Sequence, residues 1–256
     1  MKLNSLRQGR TQIVIEGKLL PEDIDCLYAS VRIPFDDHER SYIEKGWNYE
    51  ITKEPSIFDA KLFHVKKRYF LQSRLLLDTC MSSFKEWVGT KSNIFKESFG
   101  EDRFIKPLSV GTMIVTADKK WIIGRREKTY DYEDLYTLVG GYIDPDMDIV
   151  NSKPDPFFAI KREIEEETGI NQKHDIDSVM CLGLDGIDQH YLAFSTTLKI
   201  LYKELISNMP KEKEFINLEA YDYKKRSIDF VTSNYTQLTP HTLANILMSY
   251  KLVMSK

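Results

Sequence analysis

The chain reads as an α+β protein, with a mixed sheet flanked by helices and an N-terminal α/β extension of about a hundred residues. Three observations lead there. Strand-like segments surround helical ones without the regular βαβ alternation of a parallel fold. Hydrophobic residues make up 42% and charged residues 29%, an ordinary globular composition, and 256 residues are ample for a sizeable core. One helix, 156–168, carries clear start and stop signals: Asp155 as N-cap, Pro156 at the first helical position and Gly169 as the stop.

In chain order, "TQIVIEGKLL" predicts a strand and "PEDIDCLYAS" a helix opening on Pro21. "DDHERSYIEKGW" predicts a second helix. "KLFHVKK" and "YFLQSRLLLDT" alternate or run apolar like paired strands. "SSFKEWVG" is a short helix with a serine cap and a glycine stop. The turn-like "FGEDRFIKP" puts a domain boundary near residue 105, giving an extension of 1–104 and a second domain of 105–256. That second domain opens on strands "PLSVGTMIVTAD" and "KWIIGRRE" around an Asp118–Lys120 turn. "LYTLVGGYID" is a strand ending in the pair Gly140–Gly141, and the 156–168 helix follows. Strands "SVMCLGL" and "YLAFSTTLKI", a mixed "EFINLEAYDY", and helices near 223–231 and 240–254 complete the chain.

Charge and cysteine usage exclude several functions. Net charge is −3 and the pI about 6.0, so no global basic field attracts nucleic acid or acidic membrane, and neither is expected as a partner. An anionic substrate would need local positive charge, from a few arginines or a metal. Cys26, Cys80 and Cys181 are odd in number and widely spaced, which argues against a disulfide framework or a zinc site. The start, MKLNSLRQGRTQIVIEG, has no apolar signal region, and no run of about 18 apolar residues occurs. A soluble cytoplasmic protein is the expectation.

The stretch KREIEEETGI, 161–170, sets a physical problem. On a helical wheel with Glu163 at zero, Glu167 falls at about +40°, Glu166 at about −60° and Ala159 between them at about −40°. Phe157, Ile160 and Ile164 cluster at about +60° to +120° as the core stripe, and Glu165 points away. Three carboxylates thus share a flank over a small residue. Each such i,i+3 or i,i+4 pair costs a few tenths of a kcal/mol when exposed, and the helix C-terminus is the wrong end of the dipole for them. A divalent cation reverses these terms, since magnesium takes carboxylate oxygens together with phosphate oxygens and water. Arg162, four residues before Glu166, can hold that carboxylate in place. The alternative is a solvated acidic face.

"REIEEETGI", preceded by "GGYID" at a strand end, resembles the signature of the Nudix hydrolases, Gx5Ex7REUxEExGU with U aliphatic. The resemblance implies an α/β/α sandwich with a mixed sheet, and magnesium- or manganese-dependent cleavage of a nucleoside diphosphate linked to another group. It implies Glu163, Glu166 and Glu167 as metal ligands, Arg162 as orienter of a glutamate, and the Gly140 carbonyl as a further ligand. Glu166, Glu163 and Arg162 are the candidate catalytic residues, a carboxylate acting as general base toward water attacking phosphorus. The front half departs from the pattern. Twenty residues separate Gly141 from Arg162 where the signature has thirteen, so its first glutamate falls on Met147 counted forward or Pro154 counted back. Asp144, Asp146 and Asp148 are either substitutes or polar turn residues.

Within the family, "FDAKLFHV", "SSFKEWVGT", "KPLSVGTMIVTAD" and "GGYIDP" resemble, in order and spacing, the group similar to the animal UDP-glucose pyrophosphatase with an N-terminal extension. That group also has a lengthened signature and keeps two glutamates four apart, matching Glu163 and Glu167. The resemblance implies UDP-glucose or UDP-galactose as substrate and UMP plus sugar 1-phosphate as products. ADP-ribose, a dinucleotide, or a non-catalytic nucleotide-sugar sensor are the alternatives. Arg126, rather than Arg125, is the candidate diphosphate ligand, with Gly141 and Tyr142 lining the substrate pocket, or Tyr142 a partly packed tyrosine. Glu212 and Glu214 are a further acidic pair or a solvated charge run. The five histidines show no ligand spacing, and the three tryptophans are expected in the core.

Overall fold

The structure is a computed structural model that describes residues 11–29, 31–126, 132–186, 189–210, 215–222 and 227–254. Its strands are β1 Ile13–Leu19, β2 Ile24–Ala29, β3 Lys61–Leu71, β4 Arg74–Ser83, β5 Leu108–Val115, β6 Lys120–Arg126, β7 Tyr136–Thr137, β8 Val139–Tyr142, β9 Ile149–Val150, β10 Lys153–Pro154, β11 Ile176–Asp185, β12 His190–Leu198 and β13 Phe215–Asp222. The α-helices are α1 Asp37–Lys53, α2 Phe84–Lys91, α3 Asn93–Phe99, α4 Pro156–Thr168, α5 Tyr202–Asn208, α6 Ser227–Asn234 and α7 Pro240–Ser249. Among the described residues no helix is long and apolar enough to cross a membrane.

The chain divides into two compact units. One comprises the chain up to Asp23, Ser109–Gly141 and the chain from Pro156 onward; the other comprises Ile24–Leu108 and Tyr142–Asp155. This division differs from a single cut at 104/105. β1 pairs antiparallel with β11, from Ile13↔Asp185 to Leu19↔Cys181, and so joins the first unit although it opens the chain. The segment after the glycine pair joins the second unit.

The first unit is built on an eight-stranded sheet in the order β1–β11–β12–β5–β6–β13, with β7 on β6 and β8 on β5. Strand alternation sends successive side chains to opposite faces. On β12, Tyr191 and Ala193 pack with Ala244 and Met248 of α7, while Phe194 meets Phe157 of α4 edge-on at 5.1 Å. Helices therefore cover both faces, and the α/β/α sandwich follows from that alternation. A second cluster, including Met113, Trp121, Ile123, Phe230, Leu243 and Leu247, fills the space under α6 and α7.

The second unit holds a three-stranded sheet, β2–β4–β3, with β2 parallel and β3 antiparallel to β4. α1 starts on a capping box in which Asp36 accepts from the Glu39 N–H and Glu39 accepts from the Asp36 N–H. α1 approaches α2 closely at Gly89, where a Cβ would stand 2.6 Å from the Ile43 carbonyl oxygen. That approach explains why the glycine lies inside α2, which runs on to Lys91, instead of ending it.

The other departures from expectation are local. "PEDIDCLYAS" is not a helix: Pro21–Asp23 form a single 3₁₀ turn and Ile24–Ala29 a strand. Register with Leu75–Cys80 and burial of Cys26 outweigh the proline start signal. "YFL" ends β3 rather than beginning β4, because the turn sits at Gln72–Ser73, both with positive φ. Within "EFINLEAYDY", Phe215–Asp222 form the strand β13, paired with β6. Trp47, Trp87 and Trp121 are buried, as are all three cysteines, none of them in a disulfide. Burial pushes the Cys181 thiol up to about 12.

Candidate functional site

α4 arises from the pattern that predicted it. Phe157, Ala159, Ile160 and Ile164 are buried, Glu165 and Glu166 exposed, and Glu167 half-buried. Glu163 is buried at the edge of that stripe. Arg162 bridges two of the glutamates: its Nη2 lies 2.9 Å from Glu163 Oε1 and its Nη1 donates to Glu166 Oε2 at 2.8 Å. Its own side chain is only 12% exposed and that of Glu166 is 52% exposed, so the clamp holds one carboxylate inside and presents the other to water. A charge-assisted pair with the cation so far withdrawn from solvent keeps a defined geometry.

The glycine pair at the end of β8 meets the same helix turn. Gly140 has φ +152°, and a Cβ there would lie 2.2 Å from the Val110 carbonyl oxygen, so the sheet itself demands glycine. Its N–H donates to Glu167 Oε1 at 3.3 Å. A Cβ on Gly141 would stand 2.6 Å from Glu163 Oε1 and 2.8 Å from Oε2. The Glu163 carboxylate thus fills the place a side chain at 141 would need. Twenty residues of intervening chain do not keep the two halves of the motif apart.

A metal at this turn would meet oxygen donors suited to a hard divalent ion, with the Glu163 carboxylate seated where a Cβ at Gly141 would stand. Among the described residues, however, no three His, Cys, Asp or Glu side chains converge as a metal group. The physical reason is the clamp: Glu163 and Glu166 turn toward Arg162, and Glu167 toward the Gly140 amide.

The remaining predicted residues are distributed as follows. Arg126 ends β6 half-buried, its backbone N–H donating to Leu135 O at 3.0 Å. Arg125 donates from Nε to Asp134 O at 3.1 Å and lies over the Tyr136 ring. Tyr142 belongs to the second unit, where it meets Trp87 edge-on at 5.6 Å. There it lines a cavity of ≈ 330 Å³ together with Ile57, Phe58, Leu62 and Phe84. The aspartates after the glycine pair are turn builders. Asp144 Oδ1 accepts from the Asp146 N–H, Asp148 Oδ2 accepts from the Asp144 N–H, and Asp146 pairs with Lys61 at 2.7 Å. Glu212 and Glu214 lie outside the described residues.

One buried polar group escaped the sequence reading. Asp185 accepts from the Gln12 N–H at 2.6 Å and lies 3.4 Å from His241 Nδ1; the Tyr191 ring stacks on His241 at 4.9 Å. Asn245 donates to Gly111 O at 2.9 Å and to the Tyr191 hydroxyl at 3.3 Å. Burial, with smaller contributions from the charges of Asp185 and Glu167, raises the Tyr191 pKa. These residues come from separate strands and helices, so no local spacing signals them.

No family model and no curated protein sequence matches the chain. Among solved structures it is similar to a MutT protein from Methanosarcina mazei Go1 (17% identity, 54% of this chain and 88% of that one, TM-score 0.35). It is also similar to a Nudix hydrolase from Nitrosomonas europaea (17%, 57% and 89%, 0.39). A third is the Nudix domain of Shewanella oneidensis NrtR complexed with ADP ribose (12%, 62% and 97%, 0.41).

Proposed function

We propose that the chain is a Nudix-type hydrolase of nucleoside diphosphate sugars, releasing UMP and sugar 1-phosphate from UDP-glucose or UDP-galactose. One observation carries the reading: across the lengthened interval, Gly140 and Gly141 still meet Glu167 and Glu163 of the acidic turn. A solvated acidic face needs no such partners, and mutually repelling carboxylates are retained at a cost.

In this reading Glu163, Glu166 and Glu167, with the Gly140 carbonyl, would hold magnesium or manganese. Such an ion supplies charge neutralisation for the diphosphate oxygens and makes water a better nucleophile. Arg162 fixes the orientation of Glu163 and Glu166. Glu166, the most exposed carboxylate of the clamp, accepts the proton of the attacking water. Water oxygen bonds to phosphorus, the bridging P–O bond breaks, and the leaving phosphate departs as an anion. Arg126, at the end of β6, binds the diphosphate in the bidentate manner of arginine. The N-terminal extension, 1–104, is read as the segment that sets selectivity for the base and sugar.

The test is a panel of UDP-glucose, UDP-galactose, ADP-ribose and a dinucleotide with magnesium or manganese, scored by kcat/KM. UMP release from a UDP-sugar should rank first, and Glu167→Gln should lose nearly all turnover while folding normally. ADP-ribose ranking first would correct the substrate and leave the reaction class standing. Unchanged turnover in Glu167→Gln, or tight binding without product over hours, would overturn catalysis at this turn.

A further inference from the structure

The hairpin β3–β4 carries a surface that the hydrolase reading does not use. Its apical stretch, Lys66 to Arg74, reads KKRYFLQSR, with four cations and no acid in a chain of net charge −3. Tyr69, Phe70 and Leu71 are 42%, 48% and 64% exposed. The register fixes how they stand. Tyr69↔Leu76 and Leu71↔Arg74 are the last pairs of one face, and Phe70↔Leu75 closes the other. β2 pairs with β4 only from Leu75 onward, so Leu71 to Arg74 project past the neighbouring strand. Gln72 and Ser73 close the tip with φ +49° and +66°, a tight two-residue turn made without glycine. Lys66 pairs with Asp78 at 3.0 Å, while Lys67 and Arg74 are exposed.

We propose that this hairpin tip is a docking surface for an anionic phospholipid membrane, and the proposal is independent of the hydrolase reading. Charge complementarity names the occupant. Clustered lysines and arginines are drawn to acidic headgroups. Aromatic rings favour the headgroup boundary, and exposed aliphatic side chains gain by entering the acyl layer. Leu71, the most exposed apolar residue of the three, decides against nucleic acid, whose bases would stack on the rings but give an aliphatic apex nothing. Basic charge and apolar insertion act together at a membrane surface, where binding scales with buried apolar area plus attraction to anionic lipids. The low net charge of the whole chain hides this local excess.

The test is sedimentation of the full chain with vesicles of phosphatidylcholine alone and with about a third phosphatidylserine, at low and high salt. The protein should bind the anionic vesicles at least about fivefold more, and salt should release it. Two variants, Tyr69→Ser/Phe70→Ser/Leu71→Ser and Lys67→Glu/Arg74→Glu, should each lower binding about tenfold with unchanged thermal melting, since the altered side chains are exposed. Equal binding to both vesicles, wild-type binding by both variants, or displacement of the protein from anionic vesicles by a single-stranded RNA would overturn the proposal.

Discussion

If the α4 turn is the site of the proposed hydrolysis, the distance between the Gly141 backbone and the Glu163 carboxylate constrains function. Alanine there would put its methyl 2.6 Å from Glu163 Oε1, and the carboxylate must move. Misplacement of a catalytic group by about 1 Å can cost about 100-fold in rate. Gly141→Ala should therefore lower kcat by about that factor with little change in KM for the nucleotide. A variant with wild-type kcat would remove Glu163 from the reaction. His64 offers a second test at this scale. Burial lowers its pKa from the usual 6.5 to about 4, and its Nδ1 accepts from the Lys106 N–H at 2.8 Å. The folded state thus favours neutral imidazole. Its contribution is complete above the unfolded pKa and is lost as pH falls from about 6.5 toward 4. Unfolding free energy should drop by about 2 kcal/mol from this group between pH 7 and 5, and His64→Gln should flatten that part of the urea-measured profile.

Among the elements, the acidic helix was the most legible. Its proline start, its glycine stop and the stripe of Phe157, Ile160 and Ile164 are all local signals, and the buried face follows them residue by residue. β2 was not legible, because a proline followed by two acids reads as a helix start and only parallel pairing with β4 makes the segment a strand. The place of β1 was equally hidden: nothing in "TQIVIEGKLL" announces that its partner lies near residue 185. Truncation should expose what this strand does. A chain beginning at residue 105 loses β1 and the Gln12 N–H that Asp185 accepts, and leaves the β11 edge unpaired. Such a fragment should aggregate or melt well below the full chain. A second shortened chain, in which residues 11–23 are joined by a linker to residue 109, should recover much of the difference. Equal melting of the two fragments would show that β1 adds nothing to the sheet.

Over the whole molecule, two units share one chain, which passes between them after Asp23, after Leu108, after Gly141 and after Asp155. The sequence suggested a single boundary, since composition marks turns but not which sheet a strand joins. The extra residues between Gly141 and Arg162 are the clearest case. They read as a degenerate motif, yet they build a hydrogen-bonded turn at Asp144–Asp148 and the short β9–β10 pair, while the glycine pair and the acidic turn on either side of them meet. The candidate carboxylates were thus readable from helical spacing, and the buried Asp185–His241–Tyr191 group, assembled from distant segments, was not. In the proposed function, the reason for this arrangement is divalent-ion binding at the α4 turn. Titration of the full chain with manganese, followed by the electron paramagnetic resonance of the free ion, measures it without reference to turnover. Binding that weakens at least about tenfold in Glu163→Gln and in Glu167→Gln, but not in Glu165→Gln, is the predicted result. Equal manganese affinity in the wild type and all three variants would contradict it.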